Sequence, residues 1–137
     1  MTGGTKLPFR FEMRVYWEDT DAAGIVFYAN YLKFFERART EWLRSLGFGQ
    51  EALRREDGIA FVVSETAVRY LRPARLDDVL SVSVDVRHLG QASLEIAQEA
   101  RRADELLADA TIRIGCVELG TFRPCRISNT IRHTLSR

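Results

Sequence analysis

Cysteine is scarce in this chain: Cys116 and Cys125 are the only two among 137 residues. Two thiols cannot build a disulfide framework or a cysteine-rich zinc site, so both read as reduced, structural thiols of a cytoplasmic protein. Histidine is equally rare, and no third acid clusters with Asp19 and Asp21, so no metal site is expected. No apolar run approaches the roughly 18 residues of a membrane helix, and the start MTGGTKLPFRFEMR lacks the apolar core of a signal peptide. Neither sign of charge is in excess, with 20 basic residues against 19 acidic ones and a net charge of +1. Without a block of like charge, bulk attraction to nucleic acid or to a membrane surface is not expected.

What is present suits one hydrophobic core. At 137 residues and 46% hydrophobic content the chain reads as a single domain over 1–137. Residues 1–8 are expected to form a loose terminus, and 121–137 a basic, weakly patterned tail that is loop or partly ordered. From Phe9 to Trp17 apolar side chains alternate at Phe9, Phe11, Met13, Val15 and Trp17, the period of a half-buried strand. Tyr31, Phe34, Phe35, Ala38, Trp42, Leu43 and Leu46 then recur at three- and four-residue spacing, an apolar helical stripe that Gly47 and Gly49 terminate. Asn30 is a candidate cap for that helix and a candidate to orient the entrance loop, although the helix could also begin earlier, at Val26. After a short charged turn at 50–57, strands follow at 59–71, 79–88, 92–102 and 106–119, joined mostly by short turns that make neighbours antiparallel. One strand, one long helix and a meander of strands describe an α+β layer structure.

The stretch EDTDAAGIVFYANYLKFFERARTEW, Glu18 to Trp42, places two acids and a small-residue turn beside the helix start. A helix N-terminus offers unpaired N–H groups and roughly half a positive charge, so a carboxylate and a polarised carbonyl can meet there. Spacing alone makes Asp21 a turn or capping residue at least as readily as a catalyst. Phe27 and Tyr28 read equally as core aromatics or as walls of a pocket.

Those residues resemble the hotdog-fold family of 4-hydroxybenzoyl-CoA thioesterases and YbgC-like acyl-CoA thioesterases. The likeness is most specific at Asp21, Gly24, Val26, Asn30, Tyr31 and Glu36 to Arg39. A second block matches at Tyr70, Pro73 to Asp78 and Leu80. The resemblance implies a hotdog fold, an antiparallel five- to six-stranded sheet wrapped around one long central helix. It also implies hydrolysis of an acyl-CoA to acid and CoA. Asp21 corresponds to the family's nucleophile or general base, and the amide of Tyr28, seven residues on, to its oxyanion donor. Substrate contacts are implied from Gly24, Ile25, Phe27 and Asn30, and from Ser64 of a partner chain in a homodimer or homotetramer. No cofactor is implied, because coenzyme A is part of the substrate. YbgC-like members often carry histidine where this chain has Tyr28, so an Asp and His pair is not available; tyrosine there resembles the 4-hydroxybenzoyl-CoA branch and favours aromatic acyl groups. CoA phosphates call for guanidinium groups, and Arg87, Arg101, Arg102, Arg123 and Arg126 are candidates, none of them at a family position. Two rival readings remain open: a hotdog hydratase or dehydratase, and a non-catalytic acyl-CoA binding module.

Overall fold

The computed structural model describes residues 8–136; of the loose terminus expected at 1–8, residues 1–7 lie outside the described residues. Five strands form one antiparallel sheet: β1 (Phe9–Arg14), β2 (Ile59–Tyr70), β3 (Val79–Leu89), β4 (Ser93–Arg102) and β5 (Glu105–Glu118), in the order β1-β3-β4-β5-β2. The strand count is therefore the lower of the two expected. Register follows side-chain alternation: Phe11 faces Val82 and Met13 faces Leu80 across β1 and β3, and Phe61 faces Cys116 across β2 and β5. A one-residue slip would turn each of these sets to the other sheet face.

Helix α1 spans Asn30–Ser45, about 24 Å. It buries Tyr31, Phe34, Phe35, Ala38, Trp42 and Leu43, the stripe read from the sequence. That stripe shares one core with Leu80, Val82, Leu94, Ile96 and Ile112 of the sheet. The helix ends at Gly47, whose φ of +92° is the left-handed conformation that glycine adopts without a Cβ clash. There the Phe48 N–H donates to the Leu43 carbonyl at 2.8 Å and the Gly47 N–H to that of Arg44 at 3.0 Å, satisfying carbonyls the last turn leaves open. A short helix, α2 (Gln50–Ala52), continues as a wider turn over Leu53–Asp57, as the charged segment suggested.

Two regions differ from the sequence reading. β1 stops at Arg14, and Trp17 opens a helical turn, Trp17–Asp19, with its ring 80% exposed. The alternation breaks there because the Asp19 carboxylate takes the Tyr16 N–H at 2.8 Å and pulls the chain out of extended geometry. The tail, expected as loop or partly ordered, is loop to Ser128 and then helical. Ile127 is buried, and helix α3 (Asn129–Leu135) buries Ile131 and Leu135. Ser128 caps α3 by accepting the Ile131 N–H at 3.3 Å.

The tail passes close to β5, where the Cys116 and Cys125 sulfurs lie 3.4 Å apart as free thiols. Burial, then the neighbouring thiol, pushes the Cys116 pKa up to about 12. Since the thiolate is the reactive form, Cys116 in the native chain is expected to resist iodoacetamide at about pH 8 and to label on unfolding. Peptide mass spectrometry before and after denaturant checks this; native labelling at the unfolded rate would contradict it.

Candidate active site

The Asp21 loop is a tight turn closed by its own backbone. Thr20 and Val26 form an antiparallel bridge, and the Asp21 N–H donates to the Ile25 carbonyl at 2.9 Å. At its tip Gly24 has a φ of +78°, which a residue with a Cβ adopts only with strain. A second segment buttresses the loop. Ile25 bridges to Arg75, and the Val26 N–H donates to the Ala74 carbonyl at 2.8 Å. Ala74 is in turn held by its N–H donating to the Tyr31 hydroxyl at 3.1 Å. Burial raises the Tyr31 pKa, keeping the phenol neutral as it accepts from Ala74.

The two acids separate cleanly. Asp19 is 4% exposed; besides holding Tyr16, its carbonyl accepts the Phe27 N–H at 3.1 Å and the Asn30 side-chain amide at 2.9 Å. It ties the loop to the first turn of α1. Asp21 is exposed, and one carboxylate oxygen accepts the Ala23 N–H at 2.8 Å, a local turn that aims the group outward. Its other oxygen has no donor among the described residues.

Asn30 is not the cap expected of it. Ala29 occupies the cap position without a side-chain bond, and Asn30 is the first helical residue, donating back to Asp19. The helix entry therefore lacks a side-chain acceptor. The Phe27 and Asn30 N–H groups are bonded, to Asp19 and Phe27 carbonyls, whereas those of Tyr28 and Ala29 between them have no acceptor among the described residues. Two open donors thus sit at the N-terminal end of α1.

Beside them lies a cavity of about 220 Å³ lined by Ile25, Val26, Tyr28, Tyr31, Tyr70 and Leu71, among others. Its aromatic rings pack edge-on: Tyr28 and Tyr70 centroids are 5.9 Å apart, and Tyr31 and Tyr70 are 5.5 Å apart. Phe27 stacks at a tilt on Tyr28 at 4.8 Å and stays exposed. Gly24, Ile25, Phe27, Tyr28 and Asn30 are thus all brought to the Asp21 loop. Tyr70 and Arg75 join them; both stood in the second block of matching residues but drew no role from the sequence.

Ser64 is not brought there within one chain. It sits exposed at a bulge between Val63 and Glu65 on β2, its hydroxyl donating to the Arg113 carbonyl at 3.3 Å. The arginine candidates divide as well. The Arg102 guanidinium is engaged by Glu105 and Asp78, each at 2.6 Å, and these bonds raise its pKa. Arg101 is likewise taken by Glu99 at 3.0 Å and by the Asp104 carbonyl. Arg87 lies 3.4 Å from Asp85 in an exposed pair, and Arg123 is exposed.

A long helix packed on an antiparallel sheet, with an acid-bearing loop at the helix entry, defines the hotdog fold and its thioester hydrolases. Residues 15–135 match the family model described as the Thioesterase-like superfamily. Acyl-CoA thioesterase YbgC of Haemophilus influenzae is 44% identical over 90% of this chain and 91% of its own length. Acyl-CoA thioester hydrolase YbgC of Escherichia coli O157:H7 is 42% identical over 90% and 92%. The crystal structure of a probable thioesterase from Bartonella henselae superposes with a TM-score of 0.85 at 32% identity, covering 89% of this chain and all of that one. The chain belongs to the thioesterase-like superfamily. It is a hotdog-fold thioester hydrolase, as the sequence led us to expect.

Proposed function

We propose that the substrate is an acyl-CoA, cleaved to a free acid and CoA with no cofactor besides the CoA it carries. The supporting observation is the pair of unsatisfied N–H groups, Tyr28 and Ala29, at the α1 entry next to the exposed Asp21 loop. A thioester carbonyl gains negative charge as it is attacked. A preorganised N–H there is worth about 2.7–4 kcal/mol of transition-state stabilisation. The Tyr28 N–H receives the oxyanion. The Asp21 carboxylate either takes the proton from an attacking water, or attacks the carbonyl itself to form an acyl-aspartyl anhydride that water then hydrolyses to the free acid; in both routes the C–S bond breaks and the CoA thiolate takes up a proton. The names of the Haemophilus and Escherichia relatives support the CoA thioester as the substrate class.

Tyr28, Tyr31 and Tyr70 favour an aromatic or compact apolar acyl group, since their rings offer edge and face contacts to a flat ligand. CoA phosphates are assigned to Arg75, which borders the loop through Ile25, while Arg101 and Arg102 stay in their ion pairs. Homodimerisation completes the site in this reading. Among the described residues β2 pairs only with β5 and its other edge has no strand beside it, with Val62 and Val63 exposed next to Ser64. Pairing with a second copy covers that edge and brings Ser64 toward the partner's loop.

A panel of aryl- and alkyl-CoAs with a thiol-detecting reagent tests the assignment, with release of one thiol per turnover expected and fastest for aryl groups. Binding without thiol release would instead mark an acyl-CoA binding module, and loss of thioester without free thiol a different reaction. Sedimentation velocity is expected to give a dimer or tetramer. A fully active monomer would remove Ser64 from the site.

A further inference from the structure

Along α1 the Arg39 guanidinium turns inward, and burial lowers its pKa from the usual arginine value. One of its nitrogens donates to Gln98 Oε1 at 2.9 Å. Gln98 is 1% exposed and is itself fixed by donating to the Phe35 and Ser83 carbonyls at 3.1 and 3.2 Å. Among the described residues no carboxylate reaches ion-pair distance of Arg39. Glu36, a turn earlier, is held instead by the Thr40 hydroxyl at 2.6 Å. A guanidinium carries five N–H donors in a rigid fork, so the fold leaves most of this one unused. No fully buried side-chain polar atom lacks a partner among the described residues, so the unused donors open onto adjoining space.

Arg39 borders a cavity of about 230 Å³ walled chiefly by Trp42, Phe61, Leu94, Ile114 and Leu135, with Glu36 and Gln50 beside it in the lining. Arg39 makes one side-chain hydrogen bond and no ion pair among the described residues, and Glu36 is held by Thr40, so the remaining guanidinium donors are available to an anion at the apolar hollow. We propose that this cavity is a binding site for an aliphatic carboxylic acid, whose carboxylate is taken by Arg39 and whose tail lies against Trp42, Phe61 and Leu135. The planar fork suits a carboxylate bidentately, and the apolar walls require that the anion carry a hydrocarbon tail. Arg39 lies about 13 Å along the helix axis from Asn30, so this site is separate from the helix entry. Free acids are the product class of any thioester hydrolase, so the enzyme makes ligands of this type. The site itself rests on the cavity and its charge, whichever thioester is cleaved.

Titration calorimetry and thermal unfolding of the full chain with octanoate, and with octanamide as the uncharged analogue, test the proposal. Octanoate is expected to bind saturably and raise Tm, with octanamide at least about tenfold weaker. Arg39→Gln is expected to reduce octanoate to the octanamide level, and Arg39→Lys to retain part of the difference. If Arg39→Gln does not fold, the two ligands on the parent chain and on Arg39→Lys still decide. Equal binding of octanoate and octanamide, no saturable binding of either, or parental octanoate affinity in Arg39→Gln would overturn it. If Arg39→Gln dissociates an oligomer with octanoate affinity unchanged, the guanidinium is a subunit contact and the proposal is wrong. None of these readouts uses hydrolysis, so they stand or fall apart from the acyl-CoA assignment.

Discussion

Asp21→Asn is expected to lower kcat on the best acyl-CoA of the panel by about 100- to 10,000-fold, the range a positioned general base contributes. The substitution is chosen for what it keeps. The one hydrogen bond that Asp21 makes with its side chain is as an acceptor of the Ala23 N–H, and the asparagine carbonyl oxygen can accept it equally. The turn, the bridge between Thr20 and Val26, and the buttress from Ala74 are therefore retained. Asparagine neither takes a proton from water nor attacks a carbonyl at neutral pH, so the chemical step fails while binding persists. The expected signature is a collapse of kcat with KM and Tm near the parent values. An Asn variant that hydrolyses acyl-CoAs at the parent rate would show that Asp21 is only a turn residue. Asp19→Asn provides the contrast. Asp19 is buried and holds Tyr16, so its loss is expected to appear in Tm as well as in rate.

That contrast marks the limit of what local pattern could supply. On spacing alone both acids suit a turn before a helix, and only the family likeness set Asp21 apart. What separates them physically is where each carboxylate points: inward onto a backbone N–H for Asp19, outward for Asp21. The α1 stripe and the inward faces of β3, β4 and β5 were legible because burial imposes a strict period on them. The tail was not. Ile127, Ile131 and Leu135 recur every fourth residue behind a Ser128 cap, but a seven-residue helix among basic residues offers only two turns of signal. The arginines were least legible of all. Whether a guanidinium is free or engaged depends on cross-strand neighbours, as Arg102 shows with Asp78 and Arg39 with Gln98, partners 24 and 59 positions away.

Phe34→Ala is expected to cost about 3–5 kcal/mol of stability, the usual range for removing a core phenylalanine, and to lower Tm by about 10–20 °C. Phe34 is fully buried, and its ring stands edge-on to Tyr31 with centroids 5.8 Å apart. Truncation removes both the burial and the face that holds the Tyr31 ring in place. The consequence reaches the site, because the Tyr31 hydroxyl accepts the Ala74 N–H and the Ala74 carbonyl accepts that of Val26 at the base of the Asp21 loop. Activity at temperatures well below the new Tm is therefore expected to fall too, through a loosened loop rather than a lost catalyst. Tyr31→Phe separates the two effects. It keeps the ring packing and removes only the hydroxyl, leaving the Ala74 N–H unsatisfied, so it is expected to cost about 1–3 kcal/mol. Thermal unfolding at fixed protein concentration, with kcat measured at one temperature below every transition, checks both variants. If Phe34→Ala lost stability while activity per folded molecule stayed at the parent value, the packing of α1 would not be what positions the loop.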